Sequence, residues 1–209
     1  MADRRVDKLD SVPTQVHAMI DEVDRARIDK RDSVPGGVRA LEPERDRAGV
    51  MALETAFETH SVFDVVATAR ELTLVERALE APLVKRFSIA EAFAEWAQWK
   101  AGFVAEDAAG AIVGFAAVAY EAWHRRLVLW HLYVAPAARR SGVGRALLVE
   151  AEAYGKQRGA RRVWLETSSV NVPGIAAYAR LGYALCGLDT TYYDAYAPGE
   201  IALYLAKPI

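Results

Sequence analysis

The chain predicts a mixed α/β fold, and three observations carry that reading. Strand-like and helix-like stretches alternate along most of the 209 residues, and many of the apolar runs stop at a Gly or Pro. One strand-like run, Arg126–Val134, passes through a glycine-rich turn straight into an amphipathic stretch. A helical N-terminal part, a meander and then strand–helix–strand–helix–strand–strand is the order of a sheet flanked by helices.

Residues 1–37 are highly charged and lack aromatics. They hold a near-repeat, Asp7-Lys8-Leu9-Asp10-Ser11-Val12-Pro13 returning as Asp29-Lys30-Arg31-Asp32-Ser33-Val34-Pro35. Between the copies Val16, Met19, Ile20 and Val23 recur at helical spacing, which marks a short amphipathic helix. Pro35-Gly36-Gly37 is a break. The expectation is a flexible or loosely docked extension over 1–37, with a dimer-docking arm as the sharper alternative, and a main domain over 38–209.

Within that domain Val38–Leu41 reads as a short strand. Glu44–His60 carries a helical stripe through Val50, Leu53 and Phe57, Arg70–Glu80 reads as a second helix, and Ile89–Lys100 as a third with Ser88 at its cap. Gly102–Glu106 and Ala111–Tyr120 flank the turn residues Asp107–Gly110 and predict a hairpin. Arg126–Val134 is a strand stopped by Pro136, Gly142–Arg158 a helix, Arg161–Thr167 a strand, and Pro173–Leu181 a helix closed by Gly182. Tyr183–Tyr193 and Ile201–Lys207 complete the sheet.

Composition narrows the function classes. A net charge of −2 and a pI near 6.1 give no support for nucleic-acid binding, which needs a basic surface. The single cysteine, Cys186, forbids an internal disulfide and fits a reducing compartment. Its setting in Tyr183-Ala184-Leu185-Cys186 reads as a buried structural thiol. The charged start Met1-Ala2-Asp3-Arg4-Arg5 is unlike a secretory signal, and no run approaches the roughly 18 apolar residues of a membrane span. A cytoplasmic protein with no membrane, metal or nucleic-acid partner is expected.

The segment Leu132-Tyr133-Val134-Ala135-Pro136-Ala137-Ala138-Arg139-Arg140-Ser141-Gly142-Val143-Gly144-Arg145 is the most informative. A helix N-terminus offers unpaired N–H groups and the positive end of its dipole, which suits a pyrophosphate. Gly142 and Gly144 let backbone approach the anion, and Arg139, Arg140 and Arg145 add charge. There is no Gly-Lys-Ser/Thr of a P-loop and no third glycine of a dinucleotide fingerprint. What remains is Arg-x-x-Gly-x-Gly.

In that setting the sequence resembles the GNAT acetyltransferases, whose coenzyme A signature is Gln/Arg-x-x-Gly-x-Gly/Ala. Downstream, Asn171, Gly174, Tyr178 and Leu181-Gly182-Tyr183 match the family's second pattern, Asn-x-x-(small)-x-x-x-Tyr-x-x-x-Gly-Phe/Tyr. The resemblance implies a GNAT-type mixed, mostly antiparallel central sheet flanked by helices, with acetyl-CoA as acyl donor and no metal. It implies that backbone from Arg140 to Gly144, with Ser141 and Val143 between, holds the pyrophosphate. It further implies that Leu132, Tyr133 and Val134 pair with the pantetheine arm, that Asn171 contacts it, and that Tyr178 protonates the leaving thiolate. A phenol with a reference pKa near 10 is protonated at neutral pH and suits that role.

Leu165-Glu166-Thr167, Asn171-Val172-Pro173, Gly187-Leu188-Asp189 and Ala202-Leu203-Tyr204 are similar to the streptothricin acetyltransferase branch, which acetylates a β-lysine amine on a cationic antibiotic. The resemblance makes Asp64, Trp123, Asp189 and Tyr192 candidate acceptor-site residues. One departure matters. The family's glutamate base stands nine residues before the signature arginine, and here that residue is Trp130. Indole donates a hydrogen bond but takes no proton. His131 is the first replacement the sequence offers, although strand alternation would turn it to the other face unless a β-bulge intervenes. Glu121, His124, Glu166 and a water chain are rivals. Acetylation of a protein N-terminus, lysine or polyamine, and non-catalytic acyl-CoA sensing, stay open as alternatives. So does a homodimer using Trp96, Trp99 or the N-terminal segment.

Overall fold

The computed structural model describes residues 34–209. The first copy of the near-repeat, most of the second, and the expected Val16–Val23 helix lie outside the described residues. The last residues of the expected extension pack on the main domain: Val34 is buried in its core, and the Gly36 N–H donates to the Glu106 carbonyl at 3.0 Å.

The elements run β1 (Val38–Ala40), α1 (Pro43–Met51), β2 (Phe57–Ala67), β3 (Leu72–Lys85), β4 (Ala101–Glu106), β5 (Ile112–Glu121) and β6 (Arg126–Val134). After these come α2 (Val143–Gln157), β7 (Arg162–Ser168), α3 (Val172–Arg180), β8 (Ala184–Asp189) and β9 (Ala202–Pro208). A seven-stranded sheet has the order β1-β4-β5-β6-β7-β9-β8, and β2 pairs with β3 in a separate ribbon. Only the β6–β7 pair is parallel; the remaining pairs are antiparallel. The expected mixed, mostly antiparallel sheet flanked by helices is what forms.

Period-two alternation explains the layering. Leu127, Leu129, Val163 and Leu165 face α2, whose Leu147, Leu148 and Ala151 close one core. On the other face Phe115 and Ala117 meet Val50 of α1 and Leu53 just beyond it. The sheet and α2 approach closely at Gly114, where a Cβ would sit 2.7 Å from Val143 Cγ1 and 2.9 Å from Leu147 Cδ1. The turn before β5 is tied by Asp107, whose Oδ1 accepts the N–H groups of Ala109 and Ala111 at 2.9 Å. Beside β1, Arg39 clasps the buried Asp46 at the start of α1 and Glu106 at the end of β4. The guanidinium holds the Asp46 carboxyl below the usual range.

Several expectations are corrected. The helix over Glu44–His60 ends at Met51, and Phe57 begins a strand; the stripe through Val50, Leu53 and Phe57 ran past the helix because Leu53 and Phe57 are buried for other reasons. Arg70–Glu80 is not a helix but the start of β3, a strand built from helix-favouring residues and held by its ladder to β2. That ladder jumps from Thr59–Leu83 to Ser61–Ala78, so Pro82 falls in a bulge where its missing N–H costs nothing. Ile89–Lys100 shortens to a 3₁₀ turn over Ile89–Phe93, with no side-chain cap from Ser88.

Trp99 is partly buried: its indole N–H donates to the Ala92 carbonyl and its ring packs edge-on to Phe93 and Phe115. Trp96 is exposed. Strand β8 stops at Asp189 and does not reach Tyr193. Cys186 is exposed rather than buried, because the edge strand bulges between Leu185 and Gly187.

Candidate active site

The site begins with an irregularity in β6. Ala117 pairs with His131 and Val118 with Leu129, so Trp130 is the extra residue of a β-bulge. The bulge resets the alternation. Leu129 and Leu132 both face the α2 core, while His131 joins Tyr133 on the opposite face, stacked against Phe115.

The same irregularity opens the sheet. Strands β6 and β7 pair only from Arg126–Arg162 to Leu129–Leu165, although β6 continues to Val134 and β7 to Ser168. Beyond Leu129 the strands part. The Ala135 N–H donates to the Val113 carbonyl, which sets the phase of the ladder and turns the N–H groups of Leu132 and Val134 toward the gap. An extended amide chain can pair with that edge.

At the end of β6 the phosphate-type turn takes an unusual path. Arg140 has φ 64° and Gly142 φ 91°, both left-handed. The N–H groups of Arg140 through Gly144 find no acceptor among the described residues, and Val143 is buried so that only its backbone faces outward. Ser141 Oγ donates to the Ala138 carbonyl and fixes the turn. Arg140 and Arg145 are exposed beside it. Arg139 does something else: Nε donates to the Val134 carbonyl and Nη2 to the Ala56 carbonyl, at 3.1 and 2.7 Å, fastening the end of β6 to the start of β2. The row of unpaired N–H groups at a helix start fits a diphosphate, as the sequence implied.

On the far side of the gap, Asn171 is the N-cap of α3. Its Oδ1 accepts the Gly174 N–H at 3.1 Å and its Nδ2 donates to Thr167 Oγ1 at 2.9 Å. A Cβ on Gly174 would meet that amide at 2.4 Å, so the position held by alanine in the family pattern must be glycine while Asn171 keeps this rotamer. Tyr178, one helical face further on, packs edge-on to Tyr183 at 5.5 Å. Its hydroxyl makes no hydrogen bond with another described residue, and burial, aided by Tyr133 and Glu166, pushes it well above the ordinary phenol range. It is a donor at any physiological pH.

A cleft of about 290 Å³ runs along the paired part of β6 and β7 to the point where they separate. Trp130, Trp164, Tyr192 and Tyr204 supply aromatic walls, Glu121 and Glu166 carboxylates, and His124 part of the rim. Burial raises the Glu166 carboxyl, against the Tyr193 hydroxyl that donates to it and the nearby Lys85. Of the predicted acceptor residues, Tyr192 lines this cleft. Trp123 is 85% exposed and stacks on His124 at the rim. Asp189 is spent on the Thr191 N–H and hydroxyl, both at 2.8 Å, which hold it below the usual carboxylate range. Asp64 stands outside, paired with Arg77 on the β2–β3 ribbon. His131 does not line the cleft; burial lowers it to about 4.

The sequence reading did not assign Trp164, Tyr204 or Tyr193 to the site. Trp164 was findable, since Val163 and Leu165 face α2 and alternation sends Trp164 and Glu166 the other way. Tyr193 lies in an irregular loop with no periodicity to read.

A parted strand pair, a helix start with unpaired N–H groups and a partly buried phenol across the gap are the features of an acyltransferase that uses a coenzyme A thioester. Comparison with known proteins gives the particular family. The Acetyltransferase (GNAT) family pattern matches residues 72–183. Streptothricin acetyltransferase of Streptomyces lavendulae is 42% identical over 166 residues, covering 76% of this chain and 88% of that protein. The crystal structure of nourseothricin acetyltransferase superposes with a TM-score of 0.73 at 41% identity, over 82% of this chain and 96% of the other. A Bacillus anthracis chain solved with acetyl coenzyme A shares the fold, with a TM-score of 0.70 at 19% identity over 82% of this chain and 97% of that one. The chain belongs to the GNAT acetyltransferase family and is an acetyl-CoA-dependent N-acetyltransferase with a small-molecule amine acceptor. Among the described residues no group of side chains is arranged to hold a metal, and no helix is long and apolar enough to cross a membrane.

Proposed function

We propose that this enzyme acetylates a primary amine on a cationic small molecule of the streptothricin type. The observation that carries the reading is the cleft: two carboxylates and four aromatic rings along β6 and β7, reaching the point where the strands part. Carboxylates attract an ammonium, and aromatic faces stack on the cation or on the flat portions of its carrier. The similarity to streptothricin and nourseothricin acetyltransferases supports the same acceptor class.

Acetyl-CoA supplies a thioester carbonyl that an uncharged amine can attack. The Arg140–Gly144 amides, with Arg140 and Arg145 beside them, hold the pyrophosphate. The exposed edge of Leu132, Tyr133 and Val134 orients the pantetheine arm, and the Val134 N–H polarises the carbonyl. Asn171 braces the start of α3, which sets Tyr178 to give its proton to the departing sulfur. Arg139 acts on this site through the strand it fastens. Transfer is direct, so Cys186 takes no part.

Thiol release from acetyl-CoA across a panel of amines tests the reading. Streptothricin is expected to give a kcat/KM at least 100-fold above those for N-terminal peptides and neutral amines. A peptide or polyamine turned over as well as streptothricin overturns the acceptor class. The same result leaves the acetyltransferase chemistry standing.

A further inference from the structure

We propose that Glu166 on β7 is the general base that takes the proton from the acceptor ammonium, in the role the family pattern gives to a carboxylate at position 130 of β6. The inference rests on the amine-acetylation reading above and identifies which group completes it.

The register of the sheet makes the substitution geometric. Val128 and Trp164 are directly paired across the parallel strands and both line the cleft. Two residues onward along each strand, on the same face, stand Trp130 and Glu166, which also line it. A carboxylate missing from β6 is thus present on the neighbouring strand, across the opening where the acceptor must sit. On the other flank Glu166 pairs with Tyr204 of β9, another cleft residue.

The surroundings fit a base. The Tyr193 hydroxyl donates to Glu166 Oε1, which fixes that oxygen and leaves the other for a proton. Glu166 is partly buried, with Lys85 and Glu200 acting on it from the β3 end and the β8–β9 loop. Lys85 is itself paired with Glu200, so it does not neutralise Glu166 outright. Tyr192, Tyr204, Glu121, His124 and Arg126 line the same cleft as Glu166. Tyr178 feels its charge from α3. Burial raises its affinity for a proton above that of a free carboxylate, which makes it a better base at neutral pH.

The rivals are otherwise engaged. Glu121 pairs with His124 at 2.9 Å, and the His131 ring is stacked between Phe115 and Tyr133 with Nδ1 3.4 Å from the Tyr133 hydroxyl. Trp130, in this account, is a stacking wall for the acceptor.

The step balances simply. Glu166 takes one proton from the ammonium, and the freed lone pair forms the C–N bond as the C–S bond breaks. The sulfur takes its proton from Tyr178, which is restored by the second proton leaving the nitrogen. One proton per turnover passes from Glu166 to solvent.

Glu166→Gln keeps the shape and the Tyr193 contact but cannot accept a proton. With streptothricin as probe at pH 7, it is expected to lose at least ~100-fold in kcat, while acetyl-CoA binding by calorimetry stays within about twofold of wild type. The loss should shrink as the pH approaches the amine's own pKa, where the acceptor needs no base. In the protein alone, carboxyl-carbon NMR is expected to show one glutamate titrating above the ordinary range, absent in Glu166→Gln and moved further upward in Tyr193→Phe. Glu166→Gln within about fivefold of wild-type kcat across pH overturns the assignment while leaving acetyl transfer intact. A wild-type enzyme inactive on every amine overturns the acceptor reading and this proposal together.

Discussion

Gly142→Val is expected to raise both the Kd and the KM for acetyl-CoA at least ~100-fold, with the fold retained. Two effects add. The residue sits at φ 91°, where a β-branched side chain is strained, and it lies within the turn whose N–H groups from Arg140 to Gly144 have no acceptor among the described residues, so relieving the strain would move those groups. Losing two charge-assisted hydrogen bonds at about 1.5–3 kcal/mol each exceeds the 2.7 kcal/mol or so that corresponds to 100-fold. Gly144→Ala should lose far less, because its Cβ would meet only Val134 Cγ2, at an ordinary 3.6 Å. Calorimetry on both variants separates strain from contact. Unchanged acetyl-CoA affinity in Gly142→Val would move the pyrophosphate away from this turn.

The second large effect is on kcat. Tyr178→Phe is expected to lower it about 100-fold or more, with little change in KM or in melting temperature. The ring keeps its packing on Tyr183, and the lost hydroxyl makes no hydrogen bond with another described residue, so stability has little to lose. Tyr183→Phe is the informative contrast. Its hydroxyl is buried without a partner, so removing it relieves a desolvated polar group and should leave kcat near wild type and the protein slightly more stable. If both variants lose activity equally, the effect belongs to packing and not to proton donation.

The two halves of the chain were not equally legible, for physical reasons. From Ala101 onward most apolar runs are punctuated by Asp, Pro or Gly at the point where the chain turns, so β4 to β6, α2, β7 and α3 fall within a residue or two of expectation. The β2–β3 ribbon misled because Leu, Glu, Ala and Arg dominate β3, and no local signal announces that a partner strand will override helix propensity. The turn after β6 was readable because its signal is local: two glycines and three arginines at a helix start. The acceptor cleft was not, because it gathers Glu121, Trp130, Glu166, Tyr192 and Tyr204 from four separate strands and a loop, and its opening depends on a single extra residue in β6. Alternation alone placed His131 and Trp130 on opposite faces; the bulge turns both away from α2, with His131 packed on Phe115 and Trp130 at the cleft. Asp64 does not line the cleft; Arg77 lies beside it on the next strand and pairs with it.

Direct transfer to a cationic amine is the chemistry on which every role assigned to these residues depends. The decisive measurement is a single turnover with acetyl-labelled acetyl-CoA and streptothricin, followed by mass spectrometry of both the small molecule and the protein. The label is expected on one amine of the acceptor, with none on the protein at any time point. Label accumulating on the exposed Cys186, or left on coenzyme A while the acceptor stays unmodified, would contradict it.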